Sequence, residues 1–276
     1  DGGLNVLPLS NDDAGLLVTD ERITLISFTG SAAVGWQIKK NCGKKKVVLE
    51  LGGNAGVIVH SDADLAYAAD RCVVGGFSYA GQTCISVQRI LVERSAFARF
   101  TDHLLKGVKK LRTGDPLDDS TDLGPLIRES DAIRASDWIQ EAVRGGARLL
   151  CGGQRQGPVL EPTVLTGTRP EMKVNCQEIF APVVTVESYD DFDQALKQIN
   201  NSPYGLQAGL FTRDAKLIFN AYEELEVGGL IAGDVPAFRI DHMPYGGVKD
   251  SGLGRDGLRY AIWPMTEPKL LVMTLT

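Results

Sequence analysis

The chain has 276 residues, which is enough for one large domain or two domains of ordinary size. Its 43% hydrophobic and 23% charged residues are typical of a soluble globular protein. The net charge of −6, without a basic block, argues against nucleic-acid binding, and no apolar run approaches the roughly 20 residues that cross a membrane.

The first quarter of the chain predicts a strand–helix–strand unit. Apolar and β-branched residues at 23–28 and 46–51 indicate two buried strands. Between them, Thr29-Gly30-Ser31 opens a helix that runs to about Lys40. Such a unit is half of a nucleotide-binding architecture, and it ends at Gly52-Gly53, the clearest joint in the chain.

Further along, apolar runs alternate with amphipathic stretches, which predicts an α/β protein with a largely parallel sheet. The predicted strands are 57–59, 90–92, 158–168, 183–187, a buried strand at 228–231 and a terminal run at 269–274. The predicted helices are a long one capped by Asp62, and then 95–111, 130–144, 191–199, 213–224 and 256–262.

The cysteines and histidines indicate neither disulfides nor a metal site. Five cysteines, an odd number at wide spacing in a chain too large to need cross-links, predict free thiols in a reducing cytoplasm. The three histidines are scattered and no C-x-x-C spacing occurs, so a structural zinc site is not expected.

Glycines and small residues at 28–35 stand where the first strand turns into the helix. The unpaired N–H groups and the positive end of the helix dipole can hold a pyrophosphate there, and Ser31 adds a hydroxyl donor. For this segment alone, a Gly-Ser turn that merely caps a helix is the more common case.

Cys84 is the candidate nucleophile and Glu50 the candidate base. A thiol in a loop after Gly81, with a carboxylate at a strand end, fits an activated nucleophile. The preceding helix is expected to run into Gly81 and to face the thiol with its C-terminal end, so a base is the better activator. Partial burial would raise the pKa of Glu50 and suit it to that role. From these residues alone, a buried cysteine and a salt-bridged glutamate are the commoner explanation.

Two later segments also carry patterns of a site. In EIFAPV at 178–183, Glu178 and Phe180 precede a proline that restricts the chain, although a solvated glutamate before a core phenylalanine explains the segment equally well. In PYGGVKDSGLGR at 244–255, four glycines predict a tight loop with an exposed backbone, followed by a helix.

In this order and spacing, the segments 28–35, 48–54, 79–86, 178–183 and 244–255 resemble those of the NAD(P)-dependent aldehyde dehydrogenases, over essentially the whole chain. The resemblance implies an aldehyde-dehydrogenase-like α/β fold, with a parallel-sheet catalytic domain and a partial Rossmann-like cofactor domain. It also implies that a small-molecule aldehyde is oxidised to its carboxylic acid with NAD or NADP.

The same resemblance assigns roles to individual residues. Cys84 forms the thiohemiacetal and then the thioester, and Glu50 activates the water that hydrolyses the thioester. Glu178 is expected at the nicotinamide ribose and Phe180 near the nicotinamide ring. The full set of implied cofactor contacts is Gly30, Ser31, Leu51, Glu178 and Phe180.

Arg239 and His242 precede the glycine-rich segment, where similar enzymes line the substrate entrance. A cation there would bind the carboxylate or phosphonate of an aldehyde acid. The alternative is that Arg239 is only solvated, as most surface arginines are. The identity of the aldehyde does not follow from the sequence.

By resemblance, residues 1–52 end a cofactor domain, 53–265 form a catalytic domain and 266–276 form an oligomerisation strand. In similar enzymes that strand joins the sheet of a neighbouring subunit, which implies a homodimer or homotetramer, whereas the alternative is a strand within its own domain. Family members also carry a preceding part with the adenosine site and an oxyanion-hole asparagine. We therefore expect this chain, which starts at Asp1, to be a C-terminal portion that is inactive alone.

Other functions remain open from the sequence. A cysteine hydrolase would pair Cys84 with His60, His103 or His242. A catalytically silent assembly fragment would need no base. A CoA-acylating enzyme is a third alternative, but such enzymes tend to lack the residue that Glu50 matches.

Overall fold

The helices and strands follow the alternation that the sequence predicts. The computed structural model describes residues 2–275. Its helices are α1 (Asn11–Thr19), α2 (Ala32–Asn41), α3 (Leu65–Phe77), α4 (Arg94–Val108), α5 (Glu129–Arg144), α6 (Lys173–Cys176), α7 (Phe192–Asn200), α8 (Ala215–Glu224) and α9 (Leu258–Met265). Its strands are β1 (Leu25–Thr29), β2 (Lys46–Glu50), β3 (Ala55–Val59), β4 (Val87–Glu93), β5 (Arg148–Cys151), β6 (Arg155–Gln156), β7 (Val159–Leu160), β8 (Thr163–Thr166), β9 (Val183–Tyr189), β10 (Tyr204–Gly205), β11 (Gln207–Phe211), β12 (Gly229–Ala232), β13 (Val248–Lys249) and β14 (Gly252–Leu253). None of these described helices has the length and apolar character of a membrane span.

A three-stranded sheet contains the strand–helix–strand unit. β1 and β2 are parallel, with Thr29 opposite Glu50, and α2 connects them. β14 pairs antiparallel with β2 and places Gly252 opposite Glu50. The glycine-rich segment near the end of the chain therefore reaches back to the strand that ends in Glu50.

A seven-stranded sheet organises the rest of the chain, in the order β12-β11-β3-β4-β9-β8-β5. Every pair in it is parallel except β5 with β8. β3 and β11 are buried along their whole length, as parallel strands covered on both faces should be. The predicted α/β class with a largely parallel sheet is confirmed.

Helices cover both faces of this sheet. On one face, α3 and α4 pack against β3, β4 and β9, and Phe77 and Phe100 are at most 1% exposed. On the other face, α7 and α8 pack through residues such as Leu196 and Ile199. Each fully buried side chain of this size contributes about 1.5–3 kcal/mol, so the two cores fix the strands whose starts carry the site.

One predicted helix cap is wrong. α3 begins after Asp64, whose carboxylate accepts the Tyr67 N–H at 3.1 Å. Asp62 instead accepts hydrogen bonds from the Thr212 hydroxyl at 2.9 Å and the Arg213 N–H at 2.8 Å. Asp62 therefore ties the end of β3 to the end of β11, and the helix starts at the next aspartate.

The last part of the chain also departs from the predictions. Residues 266–275 form no strand with any other residue that the structure describes, and Leu270, Leu271 and Val272 are 85%, 78% and 75% exposed. The helix predicted at 256–262 begins later, after Gly257, whose backbone is left-handed. β12, predicted as a buried strand, is a half-exposed edge of the large sheet.

Candidate active site

The Cys84 thiol lies where segments distant in sequence meet. Its sulfur is 2.9 Å from the Tyr245 hydroxyl oxygen, and the two residues are 161 positions apart. Burial raises the pKa of the thiol, and the Tyr245 hydrogen bond opposes that rise. The negative charges of Glu178 and Glu50 raise the pKa further. In the folded chain the thiol is therefore protonated at neutral pH.

A turn of left-handed residues carries the thiol. α3 ends at Phe77, and φ is 53° at Tyr79, 54° at Ala80 and 70° at Gly81. A left-handed conformation costs a residue with a Cβ roughly 1–2 kcal/mol. A Cβ at Gly81 would overlap the Ala181 carbonyl oxygen. The prediction that the helix runs into Gly81 is wrong, and a turn positions the thiol instead.

Glu50 ends β2 inside the protein, where it is 7% exposed. Its backbone carbonyl accepts the Gly30 N–H at 3.0 Å, but neither carboxylate oxygen has a hydrogen-bond partner within residues 2–275. Burial raises the pKa of this carboxyl from 4.5 to about 8, with repulsion by Asp256 adding to the rise and Arg255 and Arg239 opposing it. Glu50 is therefore mostly protonated at neutral pH and becomes a base just above it.

Glu178 contacts the turn that follows Glu50. One of its carboxylate oxygens accepts the Gly53 N–H at 2.8 Å. Burial raises the pKa of Glu178 to about 7, although the Gly53 hydrogen bond and the charge of Arg134 both lower it. Two residues later, Phe180 has a left-handed φ of 48°, which turns the chain sharply next to this carboxylate.

Two glycines allow the backbone to come close to these groups. A Cβ at Gly53 would overlap the Cys84 carbonyl oxygen. Gly246 has a φ of 149°, and a Cβ on it would lie 3.0 Å from a carboxylate oxygen of Glu50. The turn after β2 thus approaches the thiol loop, and the glycine-rich segment covers Glu50.

Tyr245 connects the thiol to Arg239. The ring is 5% exposed, and the guanidinium carbon of Arg239 lies 4.3 Å from its centroid, within cation–π range. Arg239 also lies 3.8 Å from the Asp256 carboxylate, whereas His242 is exposed to solvent. Sequence reasoning missed Tyr245, because its place before two glycines gives no sign of a partner in a distant loop.

His60 lies away from the thiol. His60 lies 2.9 Å from the Tyr189 hydroxyl and 3.1 Å from the Glu93 carboxylate. It follows the end of β3, whereas Cys84 precedes the start of the parallel neighbour β4, so a strand of about 16 Å separates them. In the described part of the chain, the Cys84 sulfur has a hydrogen bond with Tyr245 and with no histidine.

The residues near α2 fit a phosphate group joined to an apolar ring. Ser31 precedes the helix and its hydroxyl makes no capping bond, so the first N–H groups of α2 are available to an anion. Leu51 is 1% exposed and packs against Gly35, so its side chain belongs to the core. A groove of about 400 Å³ lies between α1 and α2, lined by Gly15, Val18, Thr19, Ala33, Val34, Gln37, Ile38 and Asn41.

Known sequences show the same relationship over nearly the whole chain. The aldehyde dehydrogenase family matches residues 1–271. A 3-sulfolactaldehyde dehydrogenase from Priestia aryabhattai is 46% identical over 275 residues, which cover 99% of this chain and 58% of that protein. A lactaldehyde dehydrogenase from Methanococcus aeolicus is 42% identical over 257 residues, covering 93% of this chain and 55% of that protein.

Solved structures agree. The crystal structure of aldehyde dehydrogenase 21 from Physcomitrella patens, in complex with the reaction product succinate, has a TM-score of 0.94 and 48% identity, covering 97% of this chain and 56% of that one. A glyceraldehyde-3-phosphate dehydrogenase from Methanocaldococcus jannaschii, complexed with NADP, has a TM-score of 0.88 and 40% identity, covering 90% and 54%. The predicted resemblance is confirmed, and the chain spans just over half the length of these relatives.

Proposed function

The chain belongs to the aldehyde dehydrogenase family, and we propose that it carries the catalytic residues of an enzyme that oxidises an aldehyde to its carboxylic acid with NAD or NADP. The observation that supports this most directly is the meeting of Cys84, Glu50 and Glu178 in one site. Both carboxylates perturb the pKa of the thiol, so the three groups share one electrostatic environment.

Cys84 supplies the nucleophile of the proposed reaction. Its thiolate attacks the aldehyde carbon, so that a C–S bond forms and the carbonyl oxygen becomes an oxyanion. The cofactor, when bound, supplies the acceptor for the hydride. As the oxyanion re-forms a carbonyl, the hydride leaves the former aldehyde carbon, and the acyl group remains on Cys84 as a thioester.

Glu50 acts in the second half of the reaction. Its carboxylate takes a proton from a water whose oxygen attacks the thioester carbon, and the thiolate of Cys84 leaves as the acid forms. A pKa of about 8 suits this role, because a general base works best near the ambient pH. Its buried oxygens, unpaired within the described residues, are suited to hold that water.

The described residues provide contacts for both ends of the cofactor. Ser31 and the first N–H groups of α2 would hold the pyrophosphate, with Gly30, whose own N–H is bonded to the Glu50 carbonyl, beside it. The groove between α1 and α2 would hold an apolar ring. Glu178 already accepts one backbone N–H, and its second oxygen is available for a ribose hydroxyl. Phe180 is the proposed neighbour of the nicotinamide, and Leu51 would contribute through its backbone because its side chain is buried.

Arg239 supports an anionic aldehyde as the substrate. Its guanidinium stacks on the ring of Tyr245, whose hydroxyl contacts the thiol, so its charge lies a short carbon chain away from the reacting sulfur. Among the relatives, one is named for 3-sulfolactaldehyde and one structure holds succinate, and both molecules bear an anionic group. His242, exposed on the same segment, would be a second ligand for the anion.

The exposed end of the chain supports assembly into a homodimer or homotetramer. Apolar, β-prone residues that are 75–85% exposed, such as Leu270 and Val272, are a hazard unless they pair with another strand. We therefore assign 266–276 to oligomerisation, after a cofactor part at 1–52 and a catalytic part at 53–265. The five cysteines are free, which fits a cytoplasmic location.

The test is a rapid-mixing measurement of reduced cofactor in three variants of the full-length protein that contains this chain. Cys84→Ser should show neither burst nor turnover. Glu50→Gln should keep a burst while steady turnover falls by about 10²-fold or more, because the thioester forms but is not hydrolysed. Glu223→Gln, which removes an exposed carboxylate on α8, is the control. Equal loss of burst and turnover in Glu50→Gln would show that Glu50 activates the thiol instead, and a burst in Cys84→Ser would refute the proposal.

A further inference from the structure

Two buried glutamines make matching contacts beneath the site. Gln88 in β4 is 4% exposed and Gln207 in β11 is 3% exposed. Each directs its side-chain amide nitrogen at two backbone carbonyls of a segment outside the sheet. Both sit near the amino ends of parallel strands, where the core holds the backbone firmly. Each amide can therefore hold the segment that it binds in a fixed position relative to the sheet.

The amide of Gln88 holds the backbone on both sides of Glu178. Its nitrogen donates to the Gln177 carbonyl at 2.7 Å, and its oxygen accepts the Ile179 N–H at 3.1 Å. A third bond runs from the nitrogen to the Val174 carbonyl at 2.8 Å. The two neighbours of Glu178 are thus held by one side chain, which leaves the Glu178 carboxylate aimed at the turn after β2.

The amide of Gln207 holds the segment that leads into Arg239. Its nitrogen donates to the Pro236 carbonyl and, at 3.3 Å, to the Phe238 carbonyl. Phe238 directly precedes Arg239, which stacks on Tyr245. Gln207 thus holds its segment as Gln88 does, but this segment carries Arg239, on the proposed substrate side of the site.

We propose that Gln88 is a positioning residue for Glu178 and that Gln207 is a positioning residue for Arg239, so that two buried amides set the cofactor side and the substrate side of the site independently. The assignment of these two sides rests on the proposed function, whereas the hydrogen-bond contacts do not.

The physical argument is that neither glutamine can be replaced by an apolar side chain without local loosening. A buried carbonyl or N–H that loses its partner bears the full cost of desolvation. The cost falls first on the segment with the weaker packing, which is the irregular segment and not the strand. A residue that only fills space would instead weaken the whole sheet, and both segments would loosen together.

The first test compares hydrogen exchange in Gln88→Met and Gln207→Met, two substitutions of similar volume. The Ile179 amide reports on the first segment, and the Phe238 amide, which donates to the Val235 carbonyl, reports on the second. We expect about tenfold faster exchange at Ile179 in Gln88→Met only, and at Phe238 in Gln207→Met only. Equal loosening of both segments in either variant would overturn the proposal.

The second test is the pH dependence of Cys84 alkylation, which Gln88→Met would not change if Gln88 had only a structural role. The titratable groups that act on the thiol are Glu178, Glu50 and Tyr245. Because the charge of Glu178 opposes thiolate formation, its displacement should move the alkylation midpoint to lower pH in Gln88→Met. Glu178→Gln should give the same direction, and Glu223→Gln, which removes an exposed carboxylate on α8, no shift. An unmoved midpoint in Gln88→Met would show that Gln88 does not position Glu178.

A more conservative substitution, Gln88→Glu, serves as the test if Gln88→Met does not fold. In Gln88→Glu, a protonated carboxyl keeps one donor and one acceptor, so exchange at Ile179 should be near wild type at acidic pH. It should then accelerate relative to Phe238 as the introduced group ionises, because a carboxylate cannot donate to the Gln177 and Val174 carbonyls and is repelled by them. Exchange at Ile179 that keeps a constant ratio to Phe238 would overturn the proposal.

A separate measurement distinguishes this proposal from the proposed function. If Glu178→Gln in the full-length protein does not change the affinity for NAD or NADP, then Glu178 is not the cofactor contact and that part of the proposed function fails. The exchange pattern in Gln88→Met and Gln207→Met would still decide whether the two amides position their segments.

Discussion

Removal of the Glu50 carboxyl should abolish a pH dependence of stability. Burial raises the pKa of Glu50 from 4.5 to about 8 in the folded chain. Between these two values the folded state keeps a proton that the unfolded state has released, so the free energy of unfolding falls as the pH rises. The stability is therefore complete below the unfolded pKa of 4.5 and is lost progressively up to about pH 8.

The magnitude follows from the size of the shift. One pKa unit corresponds to about 1.4 kcal/mol. The rise from 4.5 to about 8 thus corresponds to a loss of about 5 kcal/mol between about pH 4 and about pH 9. A domain is stable by only about 5–15 kcal/mol, so the effect is large. In Glu50→Gln the side chain is neutral at every pH, and this loss should disappear.

The assay is urea unfolding followed by tryptophan fluorescence, repeated across that pH range for wild type and Glu50→Gln. The two proteins should agree within about 1 kcal/mol at the acidic end, with the variant more stable at the alkaline end. Glu178→Gln should remove a smaller part of the loss of stability, the part that falls between pH 4.5 and about pH 7. Glu223→Gln should leave the loss unchanged. Parallel curves for wild type and Glu50→Gln would refute the claim that Glu50 is a buried neutral acid.

Three further predictions concern the thiol, the turn and the assembly. Tyr245→Phe should raise the pH at which Cys84 is alkylated, because the hydrogen bond that lowers the thiol pKa is lost; an unchanged profile would contradict this contact. Gly81→Ala should lower the free energy of unfolding by ~3 kcal/mol or more, because a Cβ there would overlap the Ala181 carbonyl oxygen. Gly157 is also left-handed but has no atom near its Cβ position, so Gly157→Ala should cost only ~1 kcal/mol. Equal costs would contradict the overlap at Gly81. Truncation after Glu267 should shift an oligomer toward monomer or aggregate in light scattering, and an intact oligomer would contradict the assigned strand.

Short-range patterns located the first part of the site. The strand predicted at 46–51 is found at Lys46–Glu50, and the helix predicted to open at Ser31 begins at Ala32. Strand periodicity and a helix-initiating turn act over a few residues, so a single sequence reveals them. The burial of Glu50 followed from the apolar residues beside it, and the raised pKa followed from that burial.

Contacts between distant segments did not follow from the sequence. The Cys84–Tyr245 bond joins residues 161 positions apart, and no local pattern specifies such a pair. The choice between Asp62 and Asp64 as a helix cap was decided in the same way, because Thr212, which follows the end of β11, binds Asp62. In both cases the tertiary structure selects among side chains that local rules treat as equivalent.

Elements without a buried face could not be predicted from the sequence either. α1 (Asn11–Thr19) has no buried residue, and Leu16 is 69% exposed, so no apolar stripe marks it. The run at 269–274 shows the opposite case, since it has the composition of a strand but no partner among the described residues. Composition indicates what a segment can form, whereas a strand also needs a neighbouring edge to pair with.

The order in which the site loses its protons indicates what the thiol still requires. As the pH rises, Glu178 ionises at about 7 and Glu50 at about 8, before the thiol, whose pKa is itself raised. Each new negative charge then makes the thiolate harder to form. The Tyr245 hydroxyl is hydrogen-bonded to the sulfur and lowers the pKa of the thiol, but burial, the largest cause, still leaves that pKa raised. A thiolate at neutral pH therefore needs a positive charge close to Cys84, and in the proposed reaction a bound oxidised nicotinamide cofactor would supply that charge as well as accept the hydride.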